Sequence, residues 1–214
     1  MVSEALNRGN GYRFALAEEP FMLTLYFAPG SSSMAPHIAL HEIGAPFVAR
    51  PLSFAKKENR QAAYLVLNPE GKVPTLLIGE RSLTEVAAIL FYLAKRFREA
   101  SLLPDGECEA EAQAISWMSF LAATVHPARR QGAEFAASIW ALAERRLGKG
   151  SWALGAYSIV DIHLFRLYWR ARNSLADRLD RFPGLEAHYQ RMLARPAVAK
   201  TCAIEARIGY ELPA

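Results

Sequence analysis

The chain of 214 residues carries 25 basic and 21 acidic side chains, a formal net charge of +4, and 52% hydrophobic residues. That balance excludes global disorder and leaves length for one large domain or two small ones with sizeable cores. No apolar run is long enough to cross a membrane. Charges of both signs are spread along the sequence, so the basic excess reads as solvated helix faces and not as a nucleic-acid surface; an anionic small molecule is the other partner it suits.

Residues 1–20, MVSEALNRGNGYRFALAEEP, contain three acidic side chains and no signal-type apolar core, and are expected to form a loosely ordered extension. From Phe21 the run LTLYF reads as a strand stopped by Pro29-Gly30, after which come three consecutive serines, Ser31, Ser32 and Ser33. MAPHIALHEIG then places Ile38, Leu40 and Ile43 on one stripe of a helix, with Ser33 as its expected N-cap and Gly44 as its terminator. FVARPL reads as a second strand, and KKENRQAAYLVLNPEGK as a connector with a helical turn ending at Asn68-Pro69. PTLLI and RSL flank Gly79-Glu80, the tight connection between two further strands. Thr84 is expected to cap a helix reaching about Arg98, with Val86, Ile89, Leu90 and Leu93 inward.

Strand, helix, strand, hairpin and helix make an α/β unit over residues 21–98, followed by a linker at 99–106. Residues 107–214 read as all helix: Glu107 to Val125, Arg129 to Leu147, Ser158 to Asn173, Leu185 to Leu193 and Ala197 to Ala206. Cys108 and Cys202 lie far apart with no C-x-x-C and no histidine at ligand spacing, which points to no metal site and to a reducing, cytoplasmic setting.

Two motifs suggest a pocket for a small peptide. Val73-Pro74 before an apolar strand, in this element order, is where a thioredoxin-like fold places a cis-proline, which turns the backbone N–H and C=O of Val73 toward an extended ligand. The plainer alternative is a trans proline opening an edge strand. Thr84-Glu85 at a helix start offers free N–H groups for a carboxylate and a side chain for an ammonium; the plainer alternative is a capping threonine and a glutamate that complements the helix dipole.

Taken together with Pro29-Gly30, APHIAL, NPEGKVPTL, LTE and GAYSIVDIHLF, these motifs make nearly the whole chain from Phe21 resemble a bacterial glutathione transferase, nearest the beta class. The resemblance implies an α/β thioredoxin-like N-terminal domain that binds glutathione as co-substrate, an all-α helical C-terminal domain that shapes the site for a small apolar electrophile, and a homodimer. It implies that Val73 pairs with the cysteinyl backbone, that Pro74 holds the cis bond, that Glu85 and the Val86 N–H bind the γ-glutamyl head, and that Lys56 or Lys57 meets the glycine carboxylate. Beta-class enzymes carry a cysteine two residues after Pro-Gly, where this chain has Ser32, so a glutathione mixed disulfide has no sulfur to form on here. A hydroxyl can still donate to a thiolate and lower its pKa. Ser32 is the expected donor and Ser33 the helix cap, with Ser33 as competitor and Ser31 as a turn residue.

His126 in FLAATVHPARR, by itself, reads as a helix-end residue before a proline; under the resemblance it matches a beta-class histidine that faces the site, while Thr124 stands where a glutamate can reach across the dimer. Ser158 and Asp161 form a capping box, a folding element with no catalytic role. Tyr12, Trp117, Tyr157, Tyr168 and Trp169 could line an electrophile pocket, though aromatics at helical spacing usually form core. The reading is therefore an enzyme that adds the glutathione sulfur to an apolar electrophile; the alternative is a module of the same fold that binds without turnover.

Overall fold

The computed structural model describes residues 22–104 and 108–211. The expected N-terminal extension with Tyr12, and the end of the expected linker, lie outside the described residues.

Alternation of LTLYF puts Leu23, Leu25 and Phe27 on one buried face of strand β1 (Leu23–Phe27). Helix α1 (Met34–Ile43) follows, then β2 (Phe47–Pro51), a short helix α2 (Ala62–Leu65), the hairpin β3 (Thr75–Ile78) and β4 (Arg81–Thr84), and α3 (Val86–Arg96). The sheet order is β2-β1-β3-β4, with β1 parallel to β2 and antiparallel to β3. This is the thioredoxin-like arrangement that the element order predicts, and the Val73-Pro74 bond is cis.

Two expected caps are not made. Thr84 pairs with Thr75 as the last residue of β4, so the residue that enters α3 is Glu85, at φ 68°. Ser33 already has helical φ and ψ and makes no cap bond; the first amides of α1 reach the carbonyls of Ser31, Ser32 and Ser33 instead.

The remainder is helical: α4 (Cys108–Phe120), a π turn at Leu121–Val125, α5 (His126–Ala128), α6 (Ala133–Leu147), α7 (Ile159–Ala171), a 3₁₀ segment at Arg172–Arg181, α8 (Pro183–Leu193) and α9 (Pro196–Ile208). The single long helix expected up to Val125 widens into the π turn just ahead of Pro127. A proline lacks the N–H that would continue the ladder and crowds the carbonyl one turn back, and the wider turn relieves both. The Asp161 carboxylate accepts from the Ser158 N–H and hydroxyl at 2.9 and 3.0 Å, completing the expected capping box, and its other oxygen takes the Ala153 N–H and His188. One apolar core runs from β1, α1 and α3 into α4, α6 and α7. Packed faces of α1 therefore meet both the sheet and α7 and α9.

Candidate active site

Where the sheet end meets α5 and α7, two cavities of about 470 and 270 Å³ lie side by side, and both are lined by Ser32, Arg60, Lys72, Val73, His126 and Arg130. Pro74, Glu85 and Val86 line the larger one only. Seven of the predicted positions, Ser32, Val73, Pro74, Glu85, Val86 and His126 together with the strand end Thr84, thus surround one space.

The serine loop sorts its hydroxyls by their partners. Ser33 is fully buried; its Oγ accepts from the Ala28 N–H at 3.0 Å and donates to the Ala28 carbonyl at 3.2 Å. Its one proton has two acceptors inside the loop, the Ala28 carbonyl and the Ser31 hydroxyl 2.7 Å away, so the Ser33 hydroxyl is engaged whichever of the two serines donates that contact. Ser31 also closes the turn with its N–H on Ala28. Ser32 is half-buried and faces both cavities, and its hydroxyl has no partner among the described residues.

Helices from the second half of the chain hold this loop in place. Arg166 of α7 donates from Nε to the Ser31 carbonyl at 2.9 Å and from Nη2 to the Gly30 carbonyl at 3.0 Å. Glu205 of α9 accepts the Gly30 N–H at 2.6 Å and pairs through its other oxygen with His37 Nδ1 at 2.8 Å, all fully buried.

The opposite wall is built from the connector. Asn68 Nδ2 donates to the Lys72 carbonyl at 2.9 Å, where the Tyr64 hydroxyl also donates, and Tyr64 meets Thr75 Oγ1 at 2.8 Å. Asn59 Nδ2 donates to the Gly71 carbonyl at 2.7 Å. Gly71 has φ 62°, and a Cβ there would stand 2.8 Å from both Arg60 Nη1 and the Asn59 carbonyl, so the tight turn that presents Val73 needs glycine.

Three basic groups form the floor. Burial, with Arg166, Arg129 and Arg130 nearby, holds the His126 imidazole down at about 4. Burial, with Arg166 and His126 beside it, holds His163 at about 3. His163 lines the larger cavity and its Nδ1 has no partner among the described residues. Burial, followed by Arg170 and Arg129, presses Arg166 down to about 9, which still leaves it cationic at neutral pH. Neutral imidazoles beside a fixed positive charge can hydrogen-bond an anionic sulfur and stabilise it.

Lys56 and Lys57 are exposed and line neither cavity; the cations at that end are Arg60 and Lys72. Trp117, Tyr157, Tyr168 and Trp169 are also absent from both linings. Tyr157 donates to Glu42 at 2.8 Å beneath Arg195, and Trp117 and Tyr168 are core. Sequence reasoning missed Arg60, Arg130, His163, Arg166 and Glu205. The Arg129-Arg130 pair next to His126, and His163 just after the capping box, were visible signals; Glu205 carried none.

Residues 22–95 match the glutathione S-transferase N-terminal domain and residues 128–202 the C-terminal domain. A glutathione S-transferase of Escherichia coli O157:H7 is 30% identical over 86% of this chain and 98% of its own length. The chain belongs to the glutathione S-transferase family. Among solved structures, a Sulfitobacter glutathione transferase homologue with bound glutathione has TM-score 0.77 and 31% identity, over 87% of this chain and 98% of the other. A beta-class glutathione S-transferase of Sphingomonas chungbukensis has TM-score 0.75 and 31% identity, over 85% and 98%. The cavities therefore lie in a glutathione transferase, between its thioredoxin-like and helical halves.

Proposed function

We propose that the larger cavity of this transferase takes glutathione as an extended peptide, with the cysteinyl backbone paired to Val73, the γ-glutamyl ammonium on Glu85 and the γ-glutamyl carboxylate on the Val86 N–H. Arg60 and Lys72 take the glycine carboxylate in place of Lys56 or Lys57. The sulfur then faces Ser32, whose unpartnered hydroxyl, set against the engaged hydroxyl of Ser33, is the observation that carries the assignment. Ser32 donates to the thiolate, and the nearby Arg166 charge lowers the thiol pKa from its free value of about 8.5. Neutral His126 adds a hydrogen bond to the sulfur or to the group leaving the electrophile. The thiolate sulfur bonds to the electrophilic carbon, the leaving group departs with the bonding pair, and the thiol proton goes to solvent. Positioning and thiolate stabilisation supply the rate.

The enzyme is thus read as a beta-class-like transferase with serine in the cysteine position, acting as a cytoplasmic homodimer; sedimentation checks the dimer. Glutathione titration calorimetry combined with conjugation assays tests the function. Binding with turnover is the expected result, and binding without turnover would favour the module.

A further inference from the structure

The smaller cavity has a lining of one charge sign. Arg60, Lys72, Arg129, Arg130, Arg166 and Arg170 line it, and among the described residues no Asp or Glu does, though Lys72 is paired with Glu70 at 2.6 Å. Arg166 is engaged with loop carbonyls. Arg129 and Arg130, consecutive at the end of α5, have no carboxylate partner among the described residues, and Arg130 and Arg170 act on Arg129 with charge of its own sign. Like charges gathered around a concave space repel one another until an anion enters, and an apolar molecule relieves none of that repulsion. Guanidinium groups present planar donors suited to a carboxylate.

We infer that the smaller cavity selects electrophiles bearing a carboxylate, seated on Arg129 and Arg130 with the reactive carbon toward Ser32 and His126, which line both cavities. The inference rests on glutathione occupying the larger cavity. The carboxylate is a handle and takes no part in the bond changes: sulfur bonds to carbon, chloride leaves with the bonding pair, and the thiol proton passes to solvent.

The test compares a chloronitrobenzoate with the matching chloronitrobenzamide, each kcat/KM divided by its uncatalysed rate. The benzoate is favoured by about tenfold, the scale of a charge-assisted hydrogen bond. In Arg129→Gln/Arg130→Gln with an unchanged melting temperature, the ratio falls toward unity. In the unsubstituted enzyme, added salt raises KM for the benzoate and not for the benzamide, a readout that does not depend on the variant folding. Equal use of both electrophiles, or a ratio that survives the double substitution, overturns the inference. So does a rise in glutathione KM shared by both electrophiles and abolished when the glycine carboxylate is esterified, because the arginines would then serve glutathione itself. Absence of turnover with either electrophile, together with no heat on glutathione titration, overturns the glutathione reading and this one with it.

Discussion

At the scale of single residues, adjacent serines with the same chemistry carry different predictions because their protons go to different places. Ser32→Ala removes a donor that faces the cavity and should raise the thiol midpoint of bound glutathione and lower kcat/KM about tenfold, with little change in melting temperature. Ser33→Ala leaves the buried Ala28 N–H without its acceptor and should cost about 1–3 kcal/mol of stability, with no direct effect on the midpoint. Thiolate absorbance against pH and thermal melts distinguish the two. Glu85 adopts φ 68° without being glycine. A strained non-glycine conformation costs on the order of 1 kcal/mol, so Glu85→Gly should stabilise the fold by roughly that amount while losing glutathione affinity in calorimetry. A variant that is less stable would mean that Glu85 does more in the free enzyme than wait for a ligand.

At the scale of elements, the serine loop depends on helices far from it in sequence. Glu205→Ala removes a fully buried carboxylate that serves both Gly30 and His37, and should cost about 3 kcal/mol or more by denaturant titration. Turnover should fall along with it, because the loop backbone loses one of its anchors. Elements whose causes are local were legible in the sequence: alternation in LTLYF gave β1, Gly79-Glu80 gave the hairpin, and Ser158 with Asp161 gave the cap of α7. Ser33 was misjudged because its partner, Ala28, comes within reach only once the loop has folded back. Thr84 was misjudged because pairing with Thr75 outweighed the capping preference of its side chain. Most of the wall proposed to hold glutathione was readable, since Val73, Pro74, Glu85 and Val86 sit in one short stretch. The basic floor was less so, because α5 and α7 meet only in three dimensions.

For the whole molecule, the buried imidazoles set a dependence on pH. His163 titrates near 3 in the folded chain and near 6.5 when unfolded, and His126 shifts in the same direction to about 4. Between these values the unfolded chain binds protons that the folded one does not. Stability from this source is complete above about pH 6.5 and is lost as pH falls toward 3. Denaturant titrations at several pH values should show that slope, and His163→Phe should flatten it whatever its effect on the stability at neutral pH. A slope that persists unchanged would place the lost stability on carboxylates.

Gly30 is held by its carbonyl from α7 and by its N–H from α9, the last helix described. During synthesis the N-terminal half emerges with its sheet residues and its serines already in order, yet Glu205 is still unmade. A transferase arrested before α9 can keep the Arg166 bonds from α7 to the Gly30 and Ser31 carbonyls, but lacks the Glu205 carboxylate that takes the Gly30 N–H of the loop that carries Ser32. A full setting of that loop thus waits on α9, and a product shortened before it would carry every N-terminal residue of the proposed site with the Ser32 hydroxyl on a loop held from one side only.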